Sequence, residues 1–473
     1  MTVYSERPPQ LTTTARPLVT WHAMRQARAA AQAGRVTLVV LCVLGVHSAG
    51  RGAQTDDLAL LTLVTASWLL ALRLGRSISP EALGPTVATT MGTLIGFVGV
   101  SAMSLWLGPQ LSPARALAMA VAVLVFVGVW ESAVHRTTAA RKRVLVVGTP
   151  LAAEAVAHET STAEAPVDVV GFVPECPETA PLDCDVPVVG RLDGLSELME
   201  ALQPDVVVVS DGADCESAVD RLLDVPTDGF RVVGLTSFFE HALGRVPVFN
   251  LRASWFMSIL HIRQHAYTRW SKRAFDVVAA STALVLAAPV MAFIALLLVP
   301  SGRVFYRQTR LGERGRRFTI VKFRTMSKGA EAGRAVWSSD DDPRVTRLGH
   351  VLRRAHLDEL PQLFNVLRGD MSMVGPRPER PEFVDLLEEK VPFWHRRLLV
   401  KPGVTGWAQL KGGYASDCEA MAAKLSYDLW YLRNRTVLVD VAICAATVLH
   451  VGRSVIPRRR PAAVAHPEGG GAR

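Results

Sequence analysis

The chain has 473 residues, of which 49% are hydrophobic, and its mean hydropathy of +0.23 is high for a soluble protein. Its 52 Lys and Arg residues exceed the 43 Asp and Glu residues, giving a net charge of +9. This excess suits anionic lipid headgroups and phosphate substrates, while nucleic acid stays formally open. The six cysteines are scattered without a C-x-x-C pair. We interpret them as reduced, structural residues and not as a disulfide framework or a zinc site.

The first part of the chain predicts a basic N-terminal segment, residues 1–35, and a transmembrane bundle, residues 36–134. Four apolar stretches occupy the bundle region: Val36–Ala49, Leu58–Leu72, Thr86–Leu107 and Ala114–Trp130. The first two are short against the ~20 residues that a span needs. Arginines crowd the segments before the first stretch, between the second and third, and after the fourth. By the positive-inside rule, this pattern predicts four spans with both ends in the cytoplasm. Buried helices of a soluble domain are the alternative.

Residues 135–265 change from continuous apolar stretches to short β-branched runs alternating with helical patterns. Val167–Val173 and Asp205–Ser210 are two of these runs. The alternation predicts a parallel, doubly wound sheet. The turn after the first strand offers Gly148, followed by Thr149 and Pro150, where a dinucleotide site needs G-x-G-x-x-G. We therefore favour structural spacing, an oligomer contact or regulation over cofactor binding for this region.

Residues 354–381 concentrate the side chains suited to chemistry. Two adjacent carboxylates, Asp358 and Glu359, lie among several arginines: Arg353, Arg354, Arg368 and Arg377. Apolar residues at helical spacing predict one helical surface over Asp358–Leu367, with the carboxylates at its N-terminus. The following Gly-Pro-Arg-Pro cannot be helical and predicts a stiff loop that presents Arg377. The cluster suits a phosphate substrate and a divalent metal, although a helix cap with surface ion pairs would look similar.

Three motifs in order give this region a family resemblance. They are KFRTM (Lys322–Met326), LDELPQLFNVLRGDMSMVGPRPE (residues 357–379) and KPGVTGWAQ (Lys401–Gln409). Over roughly residues 267–455 the chain resembles the bacterial sugar transferase family. These are polyprenyl-phosphate hexose-1-phosphate transferases, also called monotopic phosphoglycosyl transferases. The resemblance implies a mainly α-helical monotopic catalytic domain at residues 266–456, followed by a tail at residues 457–473 that we expect to be disordered.

The whole arrangement resembles the long members of the family, which begin exopolysaccharide, capsule or O-antigen repeat units. Those proteins carry a Rossmann-like module between the four-helix bundle and the catalytic domain, here residues 135–265. The implied fold class is thus a membrane helical bundle, an α/β Rossmann-like module and a catalytic domain with a re-entrant membrane helix. The implied location is the bacterial cytoplasmic (inner) membrane, with the catalytic domain facing the cytoplasm.

The resemblance also implies a reaction. Asp358 attacks the sugar-bearing phosphate of a UDP-sugar, UMP leaves, and undecaprenyl phosphate then attacks the aspartyl-phosphosugar intermediate. The implied metal is Mg²⁺, held by Glu359 with Asp358. The candidate phosphate-binding residues are Lys322, Arg324, Arg354 and Arg377.

The apolar segment at residues 273–300 contains Pro289 and is long enough to span a membrane. If four earlier spans return the chain to the cytoplasm, a fifth span would place the catalytic motifs outside, away from nucleotide sugars. The family resemblance implies a re-entrant helix here, with its break at Pro289, which removes a helical hydrogen bond. The family usually carries Ser-Pro at this break, where this chain has Ala288-Pro289.

Two other functions stay open. One is a non-enzymatic membrane scaffold of a polysaccharide assembly complex. The other is a Rossmann-type nucleotide-sugar oxidoreductase or epimerase, against which the missing glycines and the absence of Tyr-x-x-x-Lys near residues 135–265 count. The expected partners are a UDP-sugar, undecaprenyl phosphate and the bilayer, with a homodimer possible and no nucleic acid. No motif names the sugar.

Overall fold

The computed structural model describes fourteen stretches of the chain, which are residues 21–48, 58–78, 84–107, 112–138, 141–163, 165–174, 185–210, 215–223, 225, 230–251, 255–257, 269–327, 342–412 and 418–455. The predicted tail and most of the predicted N-terminal segment lie outside them. The chain divides into two compact units, one made of Met1–Arg76 with Gly92–Ala140 and the other of Ser77–Met91 with Arg141–Arg473. The described part is mostly helical, with apolar helices and small sheets, which confirms the coarse fold class.

Four long helices form the N-terminal part: α1 (Trp21–Ser48), α2 (Leu58–Ile78), α3 (Gly84–Leu107) and α4 (Pro113–Thr138). The first two are longer than their apolar stretches, because Ala, Leu and Arg flank those stretches and are good helix formers. All four are long and apolar enough to cross a membrane. The first two helices are therefore long enough to span a membrane, although their apolar stretches alone are short.

Two glycine–tryptophan contacts bring helices of the first unit together. A Cβ on Gly34 of α1 would lie 2.2 Å from the Trp130 ring of α4, and one on Gly96 of α3 would lie 2.4 Å from the Trp68 ring of α2. Small residues permit such close approach in apolar bundles. Glu131 of α4 adds a buried ion-pair cluster, accepting from Arg35 Nε at 2.7 Å and pairing closely with Arg76.

We predict that Gly96→Ala destabilises the bundle by about 1–3 kcal/mol, because the new methyl group would overlap the fully buried Trp68. The matched control is Gly99→Ala on the same helix, where nothing lies within 4 Å of the added Cβ. The control should be neutral or slightly stabilising, since alanine is the better helix former. Thermal unfolding in detergent compares the two. Equal melting temperatures for both variants would contradict the contact.

The second unit begins with a four-stranded parallel sheet in the order β2-β1-β3-β4. The strands are β1 (Lys142–Gly148), β2 (Val167–Pro174), β3 (Val206–Val209) and β4 (Arg231–Gly234). Helices α5 (Pro150–Thr162), α6 (Leu195–Leu202) and α7 (Cys215–Leu223) alternate with them. Alternate valines of β1 enter separate cores on the two faces, as expected for a strand buried on both sides.

A connecting segment joins this sheet to the rest of the second unit. It contains the short helix α8 (Leu235–Phe238) and a π-helical turn, Phe239–Leu243. The carbonyl of Glu240 accepts from Trp430 Nε1 at 3.0 Å. The buried Glu240 carboxylate also pairs with Arg433 at 2.6 Å. The sheet is therefore tied by buried hydrogen bonds to the C-terminal helices.

The C-terminal part contains two small sheets and seven further helices among the described residues. An antiparallel hairpin joins β5 (Phe305–Leu311) to β6 (Arg317–Phe323), and β7 (Ser372–Val374) pairs in parallel with β8 (Gly403–Thr405). The helices are α9 (Arg269–Leu298), α10 (Arg347–Arg354), α11 (Gln362–Arg368), α12 (Pro381–Lys390), α13 (Trp407–Lys411), α14 (Cys418–Asn434) and α15 (Val437–Val455).

Helix α9 contains Pro289 and continues through it as one 30-residue helix, so the break predicted at Pro289 does not interrupt the helix in the structure. One face packs on the protein both before and after Pro289. Ala280 packs against Ile320 and Val366, and Ile294 and Leu298 pack in a second core beyond Pro289. Large apolar side chains lie exposed on this helix: Val278, Val285, Leu286, Phe293 and Leu296. The helix thus has one face on the protein and an apolar face directed away from it.

Candidate active site

The Glu359 carboxylate lies between two cations from distant parts of the sequence. Lys322 Nζ, on β6, is 2.7 Å from Glu359 Oε1. Arg377 Nη2 is 2.9 Å from the same oxygen, and Arg377 Nη1 is 3.5 Å from Oε2. Burial alone would raise the pKa of Glu359, but the charges and hydrogen bonds of Arg377 and Lys322 outweigh it and hold the pKa well below its usual range. Glu359 is therefore ionised and doubly paired.

Asp358 has the opposite electrostatic character. Its side chain is buried, and no hydrogen bond or ion pair joins its carboxylate to another described residue. Burial first, and then the charge of Glu359, raise the pKa of Asp358, while Lys322, Arg377 and Arg353 oppose them. Two adjacent carboxylates with pKa values pushed apart are typical of sites in which each carboxylate has its own role.

The end of β6 is fastened to helix α10, and this contact places the basic residues. Thr346 N donates to the Thr325 carbonyl at 2.9 Å, and Arg353 Nε donates to Thr325 Oγ1 at 2.9 Å. Gly349 permits the approach, because a Cβ there would lie 2.1 Å from the Thr325 oxygen. The KFRTM motif thus places Lys322 on β6, and its Thr325 binds Arg353 of helix α10.

The Arg377 loop packs backbone to backbone on the KPGVTG segment. Gly375 N donates to the Thr405 carbonyl, and Gly403 N donates to the Pro376 carbonyl, both at 2.9 Å. A Cβ on Gly403 would lie 2.1 Å from Gly375 N. Glycine is required at such a close approach. Two motifs that are about 25 residues apart in the sequence are therefore one structural element.

The predicted site residues do not all converge. The structure brings Asp358, Glu359, Lys322 and Arg377 together, and places Arg324 directly after β6. Arg354 is exposed in the last turn of α10, whereas the adjacent Arg353 is the arginine whose charge acts on Asp358.

The predicted helical surface over Asp358–Leu367 is divided in the structure. The carboxylates occupy a 3₁₀ turn, Leu357–Glu359, and α11 begins at Gln362 after Pro361. The turn follows His356, whose backbone is left-handed with φ 55°. The break orients both carboxylates into the protein, where they are 8% exposed.

Sequence reasoning missed Asn365, which lies within the LPQLFNVL motif. Its buried side chain accepts from Val321 N at 3.1 Å and donates to the Thr319 carbonyl at 2.8 Å, so it joins α11 to β6. A polar residue among Leu363, Val366 and Leu367 was the available signal. Asn365 fixes the distance between the strand that carries Lys322 and the segment that carries Glu359.

Comparison with known proteins places these residues in a family. The family model described as "Bacterial sugar transferase" matches residues 267–454. An exopolysaccharide production protein of Rhizobium leguminosarum bv. phaseoli is 39% identical over 186 residues, which cover 38% of this chain and 93% of that protein. The chain belongs to the bacterial sugar transferase family.

Other family members are longer than the shared region. A UDP-N-acetylgalactosamine-undecaprenyl-phosphate N-acetylgalactosaminephosphotransferase of Aeromonas hydrophila is 41% identical over 211 residues, covering 44% of this chain and 49% of that protein. A UDP-glucose:undecaprenyl-phosphate glucose-1-phosphate transferase of Xanthomonas campestris pv. campestris is 38% identical, covering 46% and 45%. The similarity to these two proteins thus spans about half of their length or less.

Few side chains in this site could donate to a metal. Among the described residues, no three His, Cys, Asp or Glu side chains cluster around one point. Asp358 and Glu359 supply hard carboxylate oxygens, and Mg²⁺ is commonly bound by one or two carboxylates with substrate phosphates and water. Glu359 already shares both oxygens with Lys322 and Arg377. A metal held by this pair would take its remaining ligands from the substrate and from water.

We predict that Asn365→Ala lowers the free energy of unfolding by about 1–3 kcal/mol, because it removes two partly buried hydrogen bonds, those to Val321 N–H and Thr319 C=O. Asn434→Ala is the matched control, because Asn434 Nδ2 makes one partly buried bond to the Trp430 carbonyl in its own helix. Thermal unfolding of the two variants tests this role. A loss for Asn434→Ala as large as that for Asn365→Ala would contradict it.

Proposed function

We propose that the protein transfers a sugar-1-phosphate from a UDP-sugar to undecaprenyl phosphate and releases UMP. The observation that carries the proposal is the dyad itself. Asp358 is buried and has no bonded partner among the described residues, and it stands beside a Glu359 held by Lys322 and Arg377. Both lie within the region that the family model matches, and named sugar-1-phosphate transferases are relatives of the chain. Those relatives' names supply the substrate class, and the site supplies a nucleophile with cations around it.

Asp358 is the proposed nucleophile. Its oxygen would attack the sugar-bearing phosphorus, the bond from that phosphorus to the UMP oxygen would break, and UMP would leave with the bonding electrons. An oxygen of the lipid phosphate would then attack the same phosphorus and free the Asp358 carboxylate. The raised pKa of Asp358, caused first by burial, makes its carboxylate more basic than a solvated one.

The basic residues would hold the anions together and neutralise charge, which is the main requirement of phosphoryl transfer. Arg377 presents a fork suited to two phosphate oxygens, and Lys322 presents a point charge. We propose that Glu359 orients these two cations and shares them with the substrate. Mg²⁺, held by Asp358 and Glu359, would supply further neutralisation of the diphosphate.

We propose that α9 is a re-entrant membrane helix. Its first turns are tied into the catalytic domain by Lys272, which lies 2.6 Å from the buried Asp440 Oδ2. Its last turns pack on Phe323 and Leu352 of the same domain. A helix that crossed the bilayer would carry these contacts to the opposite side from the Lys272 end. Entry and return on one face, with the exposed apolar face in lipid, agrees with both sets of contacts.

For the parallel sheet we propose a Rossmann-like module with a structural role. Gly148 ends β1 with φ 148°, and a Cβ there would lie 2.1 Å from Ser210 Cβ, which follows β3. The glycine is thus accounted for by close packing between two strand ends. This contact supports a role as a structural spacer and not as a dinucleotide-binding module, and it disfavours the oxidoreductase alternative. A homodimer, and a location in the inner membrane facing the cytoplasm, belong to the same proposal.

The reaction is tested by UMP release from a panel of UDP-sugars, using purified membranes with Mg²⁺ and undecaprenyl phosphate. Wild type should release UMP with one donor. Asp358→Asn should lower the rate roughly 10³-fold or more because the nucleophile is lost, and Glu359→Gln should lower it by roughly 10²-fold. Asp193→Asn, on an exposed turn beside α6, is the control. No release by folded wild type with any donor would favour the scaffold function instead.

The membrane topology is tested with single cysteines in a chain whose six native cysteines are replaced. Trp270→Cys and Val299→Cys mark the two ends of α9, where both side chains are exposed. We expect a membrane-impermeant thiol reagent to modify both only from the cytoplasmic side. Ser112→Cys, in the predicted external loop before α4, should react from outside. External labelling of position 299 would contradict a re-entrant helix.

A further inference from the structure

A second arginine lies directly behind the Arg377 loop. Arg397 is 2% exposed and belongs to the 3₁₀ segment Trp394–Leu399. Its Nη2 donates to the Arg377 carbonyl at 3.1 Å. Its guanidinium carbon lies 4.4 Å from the centre of the Trp394 ring. Arg397 cannot reach solvent, so its contacts with the loop are made at a fixed place in the core.

The loop depends on contacts of this kind because it has few donors of its own. Pro376 and Pro378 flank Arg377 and lack backbone N–H groups. Their carbonyls are bonded to neighbours, that of Pro376 to Gly403 N at 2.9 Å and that of Pro378 to Arg310 Nη1 at 3.1 Å. Arg397 holds the carbonyl between them. Because the prolines fix φ on both sides, fixing this carbonyl sets the direction of the Arg377 side chain.

Buried carboxylates keep Arg397 in place. Asp428 Oδ2 on α14 lies 2.7 Å from Arg397 Nη2, and Glu379 Oε1 lies 3.5 Å from Arg397 Nη1. Glu379 also pairs with Lys424 at 2.8 Å. Burial would raise the pKa of Glu379, but Lys424 and Arg397 lower it to about 2. The cluster formed by Arg397, Asp428, Glu379 and Lys424 therefore joins α14 to the loop that faces Glu359.

We propose that Arg397 is a positioning residue for the transfer reaction, acting through Arg377. It holds the Arg377 backbone so that the guanidinium lies against Glu359 and faces the phosphates of the donor. The inference rests on the proposed function and adds a residue about 20 positions from Arg377 that does not itself touch the dyad.

The test is a double-mutant cycle of Arg397→Lys and Arg377→Ala, read as kcat/KM for UMP release and as KM for the UDP-sugar. Lysine keeps the charge but replaces the guanidinium fork by one ammonium. Arg397→Lys should lower kcat/KM by about 10- to 10²-fold, the cost of a misplaced side chain. In the Arg377→Ala background, the same change should have little further effect, because the side chain through which Arg397 acts is already absent.

The Michaelis constant separates positioning from loss of folded protein. A displaced Arg377 guanidinium would make weaker contacts with the donor phosphates, so KM for the UDP-sugar should rise. A smaller folded fraction would lower the apparent kcat without changing KM. Asp428→Asn, which removes the charge that holds Arg397, should also raise KM for the donor, even where Arg397→Lys folds poorly.

Arg433→Lys is the matched control, since this arginine pairs with the buried Glu240 and lies outside the Arg377 loop. It should leave KM for the UDP-sugar unchanged. Independent, multiplying effects of Arg397→Lys and Arg377→Ala, or an unchanged KM in both Arg397→Lys and Asp428→Asn, would overturn the inference while wild-type release still supports the reaction. Absence of release by wild type would overturn the proposed function and this inference with it.

Discussion

The candidate site depends on the two ion pairs that Glu359 makes with Lys322 and Arg377, which we call the Glu359 clamp. A buried carboxylate is costly unless cations neutralise it, and removal of one partner of such a pair commonly costs about 3–5 kcal/mol. Lys322 and Arg377 supply the cations from β6 and from the Gly-Pro-Arg-Pro loop. The fold must therefore bring three distant segments within hydrogen-bond distance. In doing so it leaves the adjacent Asp358 buried, without a bonded partner among the described residues, and close to the charges of Lys322, Arg377 and Arg353.

The segments around Glu359 are held together by close contacts to the backbone more than by long helices or large sheets. Asn365 joins α11 to β6, and Gly349 lets α10 reach the strand end. Gly375 and Gly403 let two loops touch through their backbones. Each contact is local, and together they hold the side chains of the site on rigid supports. Rigid support is what an electrostatic site needs, because its donors must already point at the developing charge.

Much of this arrangement could be predicted from sequence, and the limits have physical causes. Apolar length and arginine flanks predicted the four N-terminal helices, since both follow directly from composition. The carboxylate pair and the proline loop predicted Asp358, Glu359 and Arg377. Periodicity could not show that Pro361 separates a 3₁₀ turn from α11. It also could not choose between Arg353 and Arg354, because neighbouring helical residues point in different directions. Arg397 and Asp428 gave no signal, as they meet through tertiary packing alone.

The proposed mechanism requires a covalent bond between Asp358 and the sugar-bearing phosphate. This bond can be sought by intact-protein and peptide mass spectrometry after incubation with the UDP-sugar donor and Mg²⁺, without the lipid acceptor. We predict a sugar-phosphate adduct on the peptide that contains Asp358, lost on addition of undecaprenyl phosphate and absent from Asp358→Asn. Acceptor-dependent UMP release that proceeds at an undiminished rate in Asp358→Asn, with no adduct in wild type, would contradict it.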